Sequence, residues 1–382
     1  MFSVVPFHHS PTRPTPRVEL KAFRMTNSND DESTSSSLGS SDEALLAMLG
    51  LSSINEIADD DDDDDEETEQ KVPVAVECPP DSSLPFLSDE WLESTLAPLA
   101  KEQYANESVF CFPEECSIPA KHMRILTEEI VRGRNADGSL VQADRTYEGI
   151  KVWKDGEILE RKTLTRLENF VDDHPGWSEL CHGYLQKIVS AALGVEMVLF
   201  KEKLNLKPPG GSGFAPHLDS PSLRIALGSE GPKTFCTVMV AIDDMTVKNG
   251  CLRIAKGNWT ETNCCQVIQP KDDNPDAGGR AGAIPLEVSE ELVFDDLVCK
   301  GGTIMVFNGW APHRSSANLS PFHRRAIFLT YNPKDEGECH RKYYDKMEQL
   351  RNDWREKVGL ANRKQRLEDE KFEMEALSSI PK

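Results

Sequence analysis

The sequence predicts a mainly β protein with flanking helices, built on a double-stranded β-helix (jelly-roll, cupin-like) core and preceded by a disordered acidic tail. Between residues 197 and 331, short apolar segments alternate with turns rich in Gly, Pro and Asn, which is the pattern of a double-sheet jelly roll. Helix-like segments lie before and after this part. Residues 1–85 lack sustained apolar periodicity, so burial cannot offset the entropy lost on ordering them.

Charge and composition limit the classes of function. The chain has 382 residues and a net charge of -22, and ten of its acidic residues fall within residues 59–69. Without a basic stripe, this excess argues against binding to nucleic acid. No apolar run is long enough to span a bilayer, which predicts a soluble protein that does not act at a membrane. We expect a tail (1–85), one large domain (86–350) and a charged C-terminal helix (351–382).

Cysteine usage indicates the compartment. The ten cysteines show no paired zinc-ribbon spacing, which favours free thiols in a reducing, cytoplasmic environment. The first 24 residues are basic and leave targeting to an organelle open. The acidic tail and the charged C-terminal helix are the two segments where a protein partner is possible.

The first half of the domain reads as mostly helical. Ser88 is an N-capping residue followed by helical spacing, residues 109–112 predict a short strand, and residues 117–131 again have helical apolar spacing. Residues 164–172 and 177–193 predict two more helices, and the second of these ends at Gly194.

The second half reads as strands. On a regular strand over residues 197–207, Leu199, Lys201, Lys203 and Asn205 share one face. Polar groups aligned on one face suit the inside of a ligand-binding barrel. Further strands are predicted at 234–242, 251–254, 302–307 and 325–331. After Lys342 the sequence predicts a charged helix that is solvated or faces a partner.

A histidine and an aspartate two residues apart are the first sign of a metal site. His217 and Asp219 follow a glycine-rich loop, and residues two apart on an extended strand leave the same face. A second histidine, His313, completes the 2-His-1-carboxylate set of non-haem Fe(II) oxygenases. Arg324 follows eleven residues later, where a guanidinium can pair bidentately with the carboxylate of a cosubstrate.

The same residues resemble a known family. His217, Asp219, His313, Ser315 and Arg324 are similar to the motif of the phytanoyl-CoA dioxygenase (PhyH) family of Fe(II)/2-oxoglutarate-dependent oxygenases. The resemblance covers roughly residues 105–350. The segments Tyr331-Asn332-Pro333 and Tyr343-Tyr344 resemble most the branch that acts on small polar molecules, including 2-aminoethylphosphonate hydroxylases.

The resemblance implies a role for each residue. His217, Asp219 and His313 are expected to hold Fe(II), and Arg324 to bind the far carboxylate of 2-oxoglutarate with help from Ser315. Lys203 and Asn205 are expected to contact either 2-oxoglutarate or the substrate. The implied reaction uses O2 and converts 2-oxoglutarate to succinate and CO2 while a small, polar molecule is hydroxylated, with ascorbate as the reductant. Arg325 competes with Arg324 for the carboxylate.

Two alternatives remain open from the sequence. One is a catalytically silent jelly-roll protein that binds a metal or a partner, because a fold alone does not determine function. The other concerns residues 260–286, which are long and polar. They form either a lid that keeps water from the site or a surface insertion.

Overall fold

The structure is a computed structural model that describes residues 84–154, 157–267 and 282–357. The predicted tail up to residue 83, the middle of the predicted lid (268–281) and residues 358–382 lie outside this part. Within the described ranges, the backbone forms two β-sheets and seven helices, several of them interrupted or short.

The helices flank the sheets in chain order. Helix α1 is continuous through Asp89–Trp91, Leu92–Leu96 and Ala97–Glu107, and α2 spans Ala120–Arg132. Helix α3 runs through Pro175–Ser178, Glu179–Leu185 and Gln186–Leu193. The others are α4 (Ser220–Leu227), α5 (Glu261–Val267), α6 (Leu286–Glu291) and α7 (His340–Lys357), with 3-10 turns at Glu114–Cys116, Gly228–Glu230 and Lys334–Glu336.

The strands form one large and one small antiparallel sheet. The large sheet has the order β1-β9-β6-β11-β4-β3-β2 and the small sheet the order β5-β10-β7-β8. Their bounds are β1 Val109–Cys111, β2 Asp144–Lys154, β3 Glu157–Glu168, β4 Met197–Lys207, β5 Phe214–His217, β6 Cys236–Ala241, β7 Leu252–Ile254, β8 Asp295–Asp296, β9 Ile304–Asn308, β10 His313–Ser315 and β11 Arg324–Pro333. Sheets of this kind confirm the predicted mainly β, jelly-roll core.

The two faces of the large sheet have different environments. On the outer face, Val238, Ile327 and Leu329 pack with the apolar sides of α1, α2 and α3 in the main core. On the other face, Met239 and Phe307 pack against Leu252 and Ile254 of the small sheet. We call the face of the large sheet that meets the small sheet the inner face. Because partners in adjacent antiparallel strands share a face, register tells which side chains lie inside.

The predicted helix at residues 164–172 is wrong, because this segment continues strand β3 to Glu168. Strand β3 pairs with β2, and its Arg166 and Leu167 pair with β4. The register with β2 slips at Thr165, so Leu164 and Leu167 both reach the outer core although they are three apart. A β-bulge therefore produced the apolar spacing that resembles a helix.

A second bulge, in β4, removes Leu199 from the face that was predicted to hold it together with Lys201, Lys203 and Asn205. Thr330 pairs with Lys201 and Tyr331 pairs with Leu199, so Phe200 is the extra residue. Leu199 consequently packs in the outer core with Tyr331. Lys201, Lys203 and Asn205 keep the shared inner face that was predicted, because the ladder with β11 is regular from Lys201 onward.

Helix α7 is more integrated than its charged sequence predicted. Tyr343, Tyr344 and Met347 are buried and pack with Phe200 and Phe235. The helix also continues without a break past residue 350, where the sequence suggested a boundary. No helix in the described ranges is long and apolar enough to cross a membrane.

Candidate active site

The pairing of β5 with β10 brings two distant histidines together. His217 and His313 are direct cross-strand partners, and their ring centroids lie 4.2 Å apart. Both side chains are nearly buried, and Phe307 of the large sheet lies 4.9 Å from the His313 ring. The small sheet therefore aims both imidazoles towards the inner face of the large sheet.

Asp219 joins them from the turn after β5. It occupies the N-cap position of α4, and its backbone N–H donates to the Gly309 carbonyl at 3.0 Å. One of its oxygens, Oδ1, lies 3.6 Å from Nε2 of His217 and also 3.6 Å from Nε2 of His313. Within the described residues, these three are the group whose ligand atoms all lie within 4.8 Å of one another and could hold a metal ion.

Hydrogen bonds fix which nitrogen of each histidine faces this centre. Nδ1 of His217 lies 2.8 Å from the Ala215 carbonyl, and Nδ1 of His313 lies 3.0 Å from the Ala311 carbonyl. Because a carbonyl oxygen only accepts, each Nδ1 carries a proton, and each Nε2 borders the space that it shares with Oδ1 of Asp219. Thr237 of β6 donates its hydroxyl to Oδ2 of Asp219 at 2.8 Å, which orients the carboxylate.

A cluster of cations lies at one end of the inner face. Arg324 and Lys207 are cross-strand partners and are both almost fully buried. Nη2 of Arg324 donates to the Gly250 carbonyl at 2.9 Å, and Nζ of Lys207 donates to Oγ of Ser315 at 2.9 Å and to the Ser316 carbonyl at 2.7 Å. The strand pairing thus brings Arg324 and Ser315, predicted from the sequence, into one cluster with Lys207.

The turn at Gly250 supplies the carbonyl that accepts a hydrogen bond from Arg324. Its backbone has a φ of 71°, and a Cβ there would collide with the Ser316 carbonyl oxygen. Asn249 closes the turn, because its Oδ1 accepts from Thr246 N–H at 2.8 Å. Asn249 is therefore a turn residue, and glycine at 250 lets a carbonyl approach the Arg324 guanidinium.

Among the described residues, no carboxylate forms an ion pair with Lys207 or Arg324. In the part of the chain that the structure describes, neither Nε nor Nη1 of Arg324 has a hydrogen-bond partner. Burial, with the nearby Arg324 adding to it, lowers the pKa of Lys207 to about 7. Burial also lowers the pKa of Arg324 to about 10. Unmet donors on a buried guanidinium are costly, so this arrangement fits an anionic ligand.

Lys203 and Asn205 lie farther along the same face. Nζ of Lys203 is 4.9 Å from the centre of the Phe214 ring, and Nζ of Lys207 is 5.7 Å from it. Asn205 is buried and is the cross-strand partner of both Ala326 and Arg166. Phe214 therefore covers the row of inward polar groups from the side of the small sheet.

Arg325 has a different environment from its neighbour. Its guanidinium makes two hydrogen bonds to Asp243, at 2.8 and 3.0 Å, and a third to Glu128 at 3.2 Å. Arg325 thus forms a structural ion pair with Asp243 on the opposite face of β11, away from Lys207 and Arg324. His174, His182 and His340 each pair with a carboxylate.

Lys207 and Thr237 were missed in the sequence. Lys207 ends the predicted strand at 197–207 and continues the alternation of Lys203 and Asn205, but the predicted polar face stopped at Asn205. Thr237 is the one hydroxyl in the apolar strand β6, and a buried hydroxyl needs a partner. Continuing the period-two pattern by one step would have found the lysine.

Comparison with known proteins agrees with this geometry. Residues 123–326, which contain His217, Asp219, His313 and Arg324, match the family model of phytanoyl-CoA dioxygenase (PhyH). The chain belongs to the phytanoyl-CoA dioxygenase family. It is accordingly an Fe(II)/2-oxoglutarate-dependent oxygenase that acts on a small molecule.

Two of the relatives are named for enzymes that act on phosphonates. The 2-aminoethylphosphonate dioxygenase of an uncultured bacterium (HF130_AEPn_1) is 34% identical over 233 residues, covering 60% of this chain and 79% of the relative. The methylphosphonate hydroxylase of Gimesia maris is 30% identical over 180 residues, covering 47% and 62%. Among solved structures, EctD from S. alaskensis with 2-oxoglutarate and 5-hydroxyectoine aligns with a TM-score of 0.44 and 17% identity over 63% of this chain and 77% of that one.

Proposed function

We propose that this oxygenase hydroxylates a small organophosphonate, and that His217, Asp219 and His313 hold its Fe(II). The observation that carries the site assignment is the convergence of two Nε2 atoms on one carboxylate, with both Nδ1 atoms tied to backbone carbonyls. Two neutral imidazoles and one carboxylate suit a non-haem Fe(II) centre. With 2-oxoglutarate and O2, the iron supplies oxidation of a C–H bond, with release of succinate and CO2.

The chain's own residues position the cosubstrate in this proposal. Arg324 binds the carboxylate of 2-oxoglutarate that lies away from the metal. Its Nε and Nη1 atoms, which have no hydrogen-bond partner in the described ranges, support this role. Lys207 adds a second positive charge, and Ser315 adds a hydroxyl to the same anion. Phe214 keeps water from this row, which strengthens each ionic interaction. Lys203 and Asn205 contact the cosubstrate or the substrate from the inner face.

The proposed substrate class is supported by charge and by the relatives. The inward residues of β4 include Lys203 and Lys207, so the inner face attracts anions. Both relatives described above carry a phosphonate in the name of their substrate. A free phosphonate is also much smaller than a CoA thioester.

The first test is hydroxylation with matched histidine variants. Purified protein with Fe(II), 2-oxoglutarate and O2 is incubated with methylphosphonate or 2-aminoethylphosphonate, and succinate and hydroxylated product are quantified together. We expect equal amounts of the two products in the wild type. His217→Ala should lose bound iron and at least about three orders of magnitude of activity, because one metal ligand is gone.

The control is His182→Ala. His182 also pairs with an aspartate, Asp172, at 3.0 Å, but it is partly exposed and far from the candidate centre in sequence and contacts. It should keep iron and activity within about twofold, as is usual for surface sites. Iron binding that survives His217→Ala would contradict the ligand assignment. Succinate release without any phosphonate product, together with product from another small polar molecule, would contradict only the substrate class.

A further inference from the structure

Thr237 lies in the middle of the large sheet and contacts the candidate metal centre from the inner face. Its strand, β6, runs between β9 and β11, and all six residues of this strand are buried. Thr237 is the cross-strand partner of Phe307 on one side and of Thr330 on the other. Phe307 contacts the His313 ring, so these side chains share the face that meets the small sheet. The sheet therefore holds the Thr237 hydroxyl close to the candidate metal ligands.

The Thr237 hydroxyl has a fixed position and a fixed partner. The residue is only 3% exposed, and its backbone is paired with a strand on each side. Threonine is β-branched, which restricts rotation about χ1. Its Oγ1 lies 2.8 Å from Oδ2 of Asp219. Because an ionised carboxylate only accepts, the hydroxyl is the donor, and such a bond is roughly twice as strong as one between neutral groups.

The two carboxylate oxygens of Asp219 have different surroundings. Oδ1 lies 3.6 Å from Nε2 of His217 and 3.6 Å from Nε2 of His313, whereas Oδ2 accepts the hydrogen bond from Thr237. The turn that carries the carboxylate is also held, because the Asp219 backbone N–H donates to the Gly309 carbonyl. Turning Oδ2 towards the two imidazoles would therefore break its bond to the sheet.

This division between the two oxygens affects how many coordination positions a metal would keep. A carboxylate can bind a metal ion through one oxygen or through both. In a 2-His-1-carboxylate centre, the cosubstrate and O2 need the positions that the protein leaves open. A second oxygen from Asp219 would occupy one of these positions. The hydrogen bond from Thr237 stabilises Oδ2 away from the imidazoles, which leaves Oδ1 as the oxygen offered to a metal.

We propose that Thr237 is a positioning residue that keeps Asp219 a one-oxygen ligand, and so keeps a coordination position open for 2-oxoglutarate. This inference rests on the proposed function, since it takes His217, Asp219 and His313 to be the metal ligands. Its new element is that the two oxygens of one carboxylate have separate roles, one towards the metal and one towards the sheet. Loss of the hydroxyl should therefore weaken cosubstrate binding more than metal binding.

The experiment measures metal binding and cosubstrate binding separately. Co(II) is titrated into the metal-free full chain under nitrogen, and 2-oxoglutarate is then titrated into the Co(II)-loaded protein by calorimetry. In Thr237→Val, which keeps the branched shape and removes the hydroxyl, the Kd for Co(II) should rise by no more than about threefold. The Kd for 2-oxoglutarate should rise by at least about tenfold. The absorption spectrum of the bound Co(II), recorded without 2-oxoglutarate, should change as a second oxygen joins. Thr237→Ser should restore all three readouts towards wild type.

The matched control is Thr330→Val. Thr330 is the buried cross-strand partner of Thr237 on the same face, so this change removes a neighbouring hydroxyl and leaves the bond to Asp219 in place. Both Kd values should stay within about twofold of wild type.

Several outcomes would overturn the assignment. Weaker Co(II) binding with unchanged 2-oxoglutarate affinity in Thr237→Val would show that the hydroxyl only holds the ligand in place. Unchanged affinities for both, or equal losses in Thr330→Val or Thr237→Ser, would remove the role altogether. Each of these results refutes the role of Thr237 and leaves the proposed function standing. Failure of the wild type to bind Co(II) would refute the ligand assignment as well.

Discussion

Strand β4 carries two buried charged residues that face opposite sides of the sheet and have very different partners. Glu202, on the outer face, accepts hydrogen bonds from the backbone N–H groups of Phe170 and Val171, from His340 and from Tyr344. Lys207, on the inner face, lies beside another cation, Arg324, which has two unpartnered nitrogens within the described part of the chain. Glu202 has donors around it, including a histidine, whereas Lys207 has neutral acceptors and no carboxylate partner among the described residues.

The difference separates a structural ion network from a ligand site. A buried charge whose partners come from the same chain contributes to folding and to fixing neighbouring elements. Two buried cations side by side are unfavourable unless a ligand supplies the opposite charge. Glu202 therefore ties α7 and the segment before α3 to the sheet, and the pair of Lys207 and Arg324 is better explained by an anion that binds there.

The largest expected effect is on cosubstrate affinity. Arg324→Met should raise the Kd for 2-oxoglutarate by at least about 100-fold, because a bidentate charge-assisted contact is lost and Lys207 alone remains. The measurement is a titration of 2-oxoglutarate into Fe(II)-loaded protein without O2.

Arg325→Met is the matched control for this substitution. It removes the neighbouring guanidinium and its bonds to Asp243, so we expect a lower melting temperature but a 2-oxoglutarate Kd within about threefold of wild type. If Arg325→Met weakened cosubstrate binding as strongly as Arg324→Met, the distinction between the two arginines would be wrong.

A smaller effect is expected when the affinity for 2-oxoglutarate is measured as a function of pH. Because the pKa of Lys207 is lowered to about 7 by burial and by Arg324, the lysine is charged below pH 7 and neutral above it. An anion favours the charged form, so 2-oxoglutarate binding should take up a proton above pH 7, and its Kd should rise by up to about tenfold per pH unit there.

Calorimetry in two buffers of different ionisation enthalpy measures this proton uptake. The wild type and Lys207→Met are compared at pH 6.5 and pH 8, so that other titrating groups cancel in the difference. Lys207→Met should bind more weakly at pH 6.5 and lack the additional proton uptake at pH 8. Equal proton uptake in the two proteins would show that Lys207 does not titrate on binding.

The smallest expected effect is on stability and concerns His340, which bonds to the buried Glu202. Burial alone would lower the pKa of His340, but its hydrogen bonds to Asp172 and Glu202 outweigh burial and raise the pKa to about 9. An unfolded histidine titrates near 6.5. The stabilisation is therefore fully present below pH 6.5 and is lost as pH rises through about 9.

Urea unfolding at pH 6, 7.5 and 9.5 measures this contribution. Across that range, the free energy of unfolding should fall by about 1–2 kcal/mol more in the wild type than in His340→Gln. His182→Gln is the control, since His182 bonds to the same Asp172 but is partly exposed. Parallel pH profiles for wild type and His340→Gln would contradict the assignment of a stabilising charge to His340.

The parts of the site that follow from local patterns were predictable. The pattern of His217 and Asp219 two residues apart pointed to both residues, but the predicted extended strand ends at His217. Asp219 is the N-cap of α4, so the turn after β5 brings its carboxylate beside the histidine. The mainly β core was predictable for the same reason, since alternation and turn residues are local signals. The ligand roles of these residues remain predictions that the experiments above address.

Other features depended on contacts between distant segments. The bulges at Thr165 and Phe200 each change which face the following residues occupy, and only the partner strand fixes where a register slips. The burial of Tyr343, Tyr344 and Met347 depends on Phe200 and Phe235, which are far away in sequence. A charged helix with three apolar contacts cannot be distinguished from a solvated helix by composition alone.

The ion pair between Asp144 and Arg351 joins residues 207 positions apart in the chain. During synthesis, β2 leaves the ribosome long before α7, so the edge strand of the large sheet is made well before the helix that contacts it. Contacts with such a large separation in sequence slow folding and prolong the exposure of unpaired strands. The order of translation thus makes the contact between Asp144 and Arg351 a late one, formed after the strands that carry His217 and His313 have been synthesised.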